Sequence, residues 1–125
     1  MEAPPEALEL RNLWDHRADL PEGATEKVLA GLDTENHWTA RLHAVRLVPF
    51  LSWNAEESRL IVEGLFVLER GENLFVRAWA LDSLAHFAEK DAELADRVMP
   101  LLVEAIGSGS GSVRARAKAA IKRLS

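Results

Sequence analysis

The sequence predicts an all-α fold built from stacked helix pairs, and three observations predict it. The first is a segment that occurs three times, as Thr39-Ala40-Arg41-Leu42-His43-Ala44-Val45, Phe75-Val76-Arg77-Ala78-Trp79-Ala80-Leu81 and Ser112-Val113-Arg114-Ala115-Arg116-Ala117-Lys118. The arginines are spaced by 36 and then 37 residues, and the columns continue as Val48/Leu84/Ile121 and Leu51/Phe87/Leu124. A fixed period in this range marks a repeat architecture. The second observation is apolar residues recurring at helical spacing, with no alternating strand pattern. The third is the short turns between these stretches, which make successive helices antiparallel neighbours.

The elements follow in order. Pro5 suits a first helical turn, and Leu10, Leu13 and Trp14 then form an apolar stripe. Asp19 and Glu22 have capping-box spacing, with Pro21 between them, and introduce a short helix through Val28, Leu29 and Leu32. Asp33-Thr34-Glu35-Asn36 supplies the cap of the next helix, which bears Ala40, Ala44, Val48 and Leu51 and contains Pro49. Asn54 with Glu57 forms another capping box, before a helix that buries Leu60, Ile61, Leu65 and Leu68. Gly71-Glu72-Asn73 is a turn with a cap, Asp91 caps the helix of Leu94, Val98 and Leu102, and Ser112 caps the last helix. Leu29, Leu65 and Leu102 are expected at equivalent buried places. The predicted organisation is one domain over 1–125. It comprises an N-terminal helix over 1–20 that closes the stack and helix pairs over 21–52, 53–89 and 90–125.

Composition narrows the chemistry. Apolar residues make up 48% of the 125 residues and charged residues 28%, which is ordinary for a globular domain. The chain has no cysteine, so disulfides, thiolate zinc sites and cysteine nucleophiles are excluded. Met-Glu-Ala-Pro-Pro-Glu has no basic segment and no apolar run behind it, so neither a secretory signal nor a membrane span is expected. The expected location is the cytoplasm. The net charge of −5 is uneven: residues 1–35 carry −6, residues 36–105 carry −4 and residues 106–125 carry +5. An acidic body disfavours nucleic acid, whose phosphates need a basic surface. Only the C-terminal end qualifies, and there an acidic partner is the other expectation.

No constellation of residues points to catalysis, to a metal or to a cofactor. His43 and His86 sit 43 residues apart against a 36-residue repeat, too far offset for one ion. Gly107-Ser108-Gly109-Ser110-Gly111 lacks the lysine of a phosphate loop and reads as a connector. Arg41, Arg77 and Arg114 are expected to tie repeats together through turn carboxylates and backbone carbonyls. Opposite the buried columns lies a second-helix face whose members are Trp38, Leu42, Val45 and Arg46, then Ala78, Leu81 and Asp82, then Lys118 and Lys122. This face is the candidate partner-binding strip: apolar at one end, small in the middle and basic at the other.

Val76-Arg77…Ala80…Leu84 resembles the Val-Arg-x-x-Ala-x-x-x-Leu signature of HEAT repeats. Val98-Met99-Pro100-Leu101-Leu102 is similar to the family's proline-bearing first helix, and the resemblance covers residues 22 to 125. It departs from the pattern at Ala40, at Pro49 and in the turns, where Asn36, Glu72 and Ser110 or Gly111 replace the usual aspartate. The resemblance implies a right-handed α-solenoid whose second helices line a concave face. It implies a non-catalytic scaffold that binds another protein, and a monomer is expected because attraction between the acidic start and the basic end is weak and salt-screened. Two other functions carried by HEAT-like folds, DNA-repair-like nucleic-acid binding and chromophore-lyase-like catalysis, are the alternatives.

Overall fold

The computed structural model describes residues 4–125, and the first three residues of the 1–20 segment lie outside the described residues. All regular structure among the described residues is helical. The helices are α1 (Pro5–Asp15), α2 (Ala24–Gly31), α3 (Trp38–Leu47), α4 (Ala55–Leu68), α5 (Leu74–Ala88), α6 (Ala92–Ile106) and α7 (Gly111–Leu124), with a 3-10 turn at Val48–Phe50 after α3. The chain packs as two compact units, Met1–Ile61 and Val62–Ser125. No helix among the described residues is long and apolar enough to cross a membrane.

In the first unit α3 packs on both α1 and α2. Leu10 and Leu13 of α1, Val28 of α2 and Ala40, Ala44, Val45 and Leu47 of α3 form its core. Trp14 lies against Arg46 and Phe50, and Gly31 sits between Leu10 and Ala44. Low numbers in α1 thus meet low numbers in α3, and the two helices run parallel. Gly31 is where the backbone of α2 comes closest. A Cβ there would stand 2.6 Å from Leu10 Cδ1 and 2.9 Å from the Ala44 Cβ, so only glycine fits without displacement.

In the second unit α5 is the central helix and packs on α6 and, most extensively, on α7. Its sequence explains this. Val76, Ala78, Ala80, Leu81, Leu84, Ala85 and Ala88 leave no polar stripe, and a helix apolar all round must be covered on several sides. Trp79 meets Arg116, and Asp82 meets Arg116 and Arg123, so α5 and α7 also run parallel. Two of the repeat columns coincide with burial, whereas Leu51, Phe87 and Leu124 stay half-buried. Ala44, Ala80 and Ala117 are each 0% exposed, and Ala40, Val76 and Val113 are at most 2% exposed.

Several ends differ from the sequence reading. The Asp19–Glu22 box does not form. The chain enters α2 through Gly23 at φ 88°, a left-handed conformation that a Cβ disfavours. His37, not the 33–36 segment, caps α3 by accepting from the Thr39 amide at 3.3 Å. Asn36 instead closes the helix before it, donating from Nδ2 to the Ala30 carbonyl at 2.7 Å. Ser110, not Ser112, caps α7, accepting from the Val113 amide at 3.3 Å. Pro49 has no amide hydrogen to donate, so α3 ends at Leu47 and continues only as the 3-10 turn. Leu29 and Leu60 are exposed at 36% and 58%, because Val28 and Ile61 take the core positions beside them. The Asn54–Glu57 box forms in both directions, at 3.0 and 2.8 Å, and Asn73 and Asp91 cap α5 and α6.

The repeated arginines act on carbonyls rather than on carboxylates. Arg77 Nε donates to the Glu69 carbonyl at 2.9 Å, and an Arg114 terminal nitrogen donates to the Ser108 carbonyl at 2.7 Å. Both acceptors follow the end of a first helix, where unsatisfied carbonyls attract a cation. Arg41 does not join them: its Nε is buried without a hydrogen-bond partner, and Asn36 serves the α2 end instead.

The Gly31 contact yields a test. Gly31→Ala gains helix propensity but forces Leu10 and Ala44 apart, and a net loss of about 1–2 kcal/mol is expected. Chemical denaturation measures it, and a variant as stable as the parent would mean that α2 sits farther from α1 and α3.

Candidate functional site

The structure separates the nine residues of the expected strip by burial. In the first unit Trp38 is 37% exposed, Leu42 and Arg46 are half-buried, and Val45 is 0% exposed. In the second unit Lys118 and Lys122 are exposed, whereas Ala78, Leu81 and Asp82 are buried at 1%, 3% and 7% exposure. Val45, Ala78, Leu81 and Asp82 therefore do not present an open surface. Opposition to one buried column identifies a free face only on a helix with one buried side. Both α3 and α5 are covered on more than one side by the neighbours that their apolar residues attract.

Asp82 belongs to a ladder of charges between α5 and α7. Its carboxylate lies 3.5 Å from Arg123 and 3.8 Å from Arg116, and Arg123 also donates to the Asp82 carbonyl at 2.9 Å. Arg123 Nε reaches Glu89 at 3.7 Å, His86 lies 3.9 Å from the same carboxylate, and Arg116 covers the Trp79 ring at 4.8 Å. These side chains hold the two helices together in the 37-residue register.

Arg46 is likewise occupied in the first unit. Its guanidinium lies 3.8 Å from the Trp14 ring centre, Arg17 lies 4.1 Å from the same ring, and Phe50 meets Trp14 edge-on at 5.7 Å. His43 is held below the usual imidazole value of 6.5. Burial is the main cause, Arg46 and Arg11 add to it, and Asp15 opposes it. Among the described residues no three His, Cys, Asp or Glu side chains gather in a way that would hold a metal ion.

The feature that sequence reasoning missed lies at one end of the second unit. The α4–α5 turn and the α6–α7 turn meet there around a cleft of about 290 Å³, lined by Glu69, Arg77, Leu81, Leu101, Glu104, Ala105, Gly107 and Ser108. Large apolar side chains stay exposed on the helix ends that bear these turns: Val67 of α4, Leu74 and Phe75 of α5, and Val103 and Ile106 of α6, between 38% and 59% exposed. Glu69 is only 8% exposed. Burial raises its carboxyl above the ordinary carboxylate range, Arg77 and Arg70 oppose the shift, and Glu104 adds to it. One signal in the sequence pointed to Glu69. An acidic residue immediately after a helix works against the helix dipole, so its placement calls for a separate reason.

No family model, curated protein or solved structure matches the chain.

Two measurements check these placements. Asp82→Ala should lower stability by about 1–2 kcal/mol, a value discounted because both arginine partners are over a third exposed. In a double-mutant cycle Asp82→Ala and Arg123→Ala should be non-additive, and strict additivity would dissolve the ladder. His43 titrates lower in the fold than in the unfolded chain. Its contribution is therefore complete above 6.5 and is lost as pH falls through the depressed value. The melting temperature should drop as the pH falls below 6.5, and less steeply in His43→Gln. Parallel pH profiles would remove His43 as the cause.

Proposed function

We propose that the chain is a HEAT-like right-handed α-solenoid of three helix pairs with α1 as the capping helix. It works as a non-catalytic, monomeric module that binds another protein in the cytoplasm. The observation that carries the binding role is the set of exposed apolar side chains around the turn end of the second unit, including Phe75 at 53% and Val103 at 59% exposure. Five large apolar side chains left exposed on the helix ends of one unit are more than a folded core requires, and exposed apolar surface of this kind marks interaction sites. Aromatic and aliphatic anchors beside a pocket are also the usual centre of a protein interface. The near-complete burial of the Ala44/Ala80/Ala117 and Ala40/Val76/Val113 columns, and the parallel pairing of α5 with α7, support the repeat reading. Trp38 and Leu42 in the first unit, and separately Lys118 and Lys122 in the second, serve as additional contacts, with the lysines suited to an acidic segment. The buried Val45, Ala78, Leu81 and Asp82 hold their helices in place instead.

The test is affinity capture from the native lysate with the parent chain and with a Phe75→Ser, Val103→Ser variant. Both positions are more than half exposed, so the variant should melt within a few degrees of the parent, roughly the effect of a surface change. The expected result is a defined set of proteins retained by the parent and lost by the variant. Equal capture by both chains would sink the proposal. So would capture of nucleic acid alone, which would favour the DNA-repair-like alternative.

A further inference from the structure

We propose that the side of the α6–α7 hairpin turned away from α4 and α5 docks an amphipathic helix of the partner protein, with acidic residues along the edge that lies over α7. The inference rests on the partner-binding reading above and names the structure and charge that the partner must present.

Side-chain contacts show which side of the hairpin is free. Arg97 of α6 covers the ring of Phe66 in α4 at 4.4 Å, and Arg116 and Arg123 of α7 reach Trp79 and Asp82 in α5. A helix turns by about 100° per residue. Ile106 follows Arg97 by about two and a half turns and so faces the opposite way, and Met99 and Val103 share its flank. On α7, Lys118 comes two positions after Arg116 and five before Arg123, so it points away from α5, as Ile121 does. Burial agrees with this geometry. Val103, Ile106 and Lys118 are exposed, and Met99 and Ile121 are half-buried.

The backbone dictates what can lie there. α6 and α7 are packed neighbours joined by a short turn, and both are helical along this side. Neither offers a free strand edge, so an occupant must satisfy its own amides and carbonyls. A helix does so, and its apolar residues at three- and four-residue spacing then meet Met99, Val103, Ile106 and Ile121.

Charge selects the helix. α7 carries five cations and no carboxylate. Arg114 is committed to the Ser108 carbonyl, and Arg116 and Arg123 to Asp82. Lys118 and Lys122 are exposed one turn apart and enter none of these pairings. α6 presents Asp96 on the Val103 flank, so acidic residues of the partner belong over α7 and not over α6. A second copy in symmetric pairing would set Lys118 and Lys122 against their own kind. A nucleic acid would engage the lysines but leave the apolar residues uncovered.

The test uses the full chain and two capped, fluorescein-labelled peptides of about four helical turns. Both repeat leucine along one face; one carries glutamate along the adjoining edge and the other carries lysine there. Fluorescence anisotropy at low ionic strength should show the acidic peptide binding about tenfold more tightly than the basic one. K118E with K122E should invert that preference, roughly the effect of exchanging two exposed attractions for repulsions. K118Q with K122Q should abolish it, and keeps the test open if the charge-reversed chain fails to fold. Nitrogen-15 spectra should place the acidic peptide's shifts at 99–106 and 114–122. No binding of the acidic peptide, a preference indifferent to both lysine variants, or shifts confined to other helices would overturn the proposal. So would sedimentation showing that the parent self-associates through this face, or displacement of the peptide by a DNA duplex. The peptide affinities are read without lysate, so failure here is distinguishable from failure of the Phe75→Ser, Val103→Ser capture experiment.

Discussion

The structure depends on close approach at one small side chain per second helix. Ala44, Ala80 and Ala117 are completely buried, so a larger side chain at any of them would have to displace its surroundings. A methyl group is enough to exclude water and short enough to let a neighbouring helix settle against the backbone. Gly31 extends the same logic to α2, where even a methyl group would collide with Leu10 and Ala44. Over-packing at such points costs as much as a cavity does elsewhere. The larger residues, Leu10, Leu47, Leu65, Leu84 and Leu102, fill the spaces that these approaches define.

Polar groups then fix what the apolar contacts leave adjustable. Apolar packing between α5 and α7 tolerates sliding, whereas Arg123, bonded to the Asp82 carbonyl and facing Glu89, does not. The turns follow a similar rule. The carbonyls at the ends of three first helices all receive a side-chain donor, from Asn36, Arg77 and Arg114. The donors differ, and the backbone requirement is the same.

Helix number, order and spacing were legible in the sequence because they rest on apolar periodicity and on Asn54, Asn73 and Asp91, whose capping geometry is local. Other caps were not legible, because several polar residues compete within a few positions. Ser110 and Ser112 are chemically equivalent, and only the helix start at Gly111 decides between them. Gly23 prevailed over Asp19 and Glu22 through backbone conformation, which carries no side-chain signal. The expected binding strip failed at Val45, Ala78, Leu81 and Asp82 for a tertiary reason. A helical wheel shows two opposite sides, but the number of neighbours decides how many sides are covered. Glu69 was hidden for the opposite reason: in composition it is one more acidic residue near a turn, and its burial beside Leu101, Glu104 and Ala105 exists only in the folded unit.

The reach of the polar contacts along the chain has a kinetic consequence. None of the hydrogen bonds described spans more than the 41 positions between Asp82 and Arg123. Loop closure over such distances costs little chain entropy, and proteins dominated by local contacts fold in microseconds to milliseconds. Each compact unit can therefore order from contacts of limited sequence reach. The hazard of this economy is equally local. An α5 that has formed before α7 exposes Ala80 and its apolar neighbours, so the interval before α7 docks is when the second unit is most open to association with copies of itself.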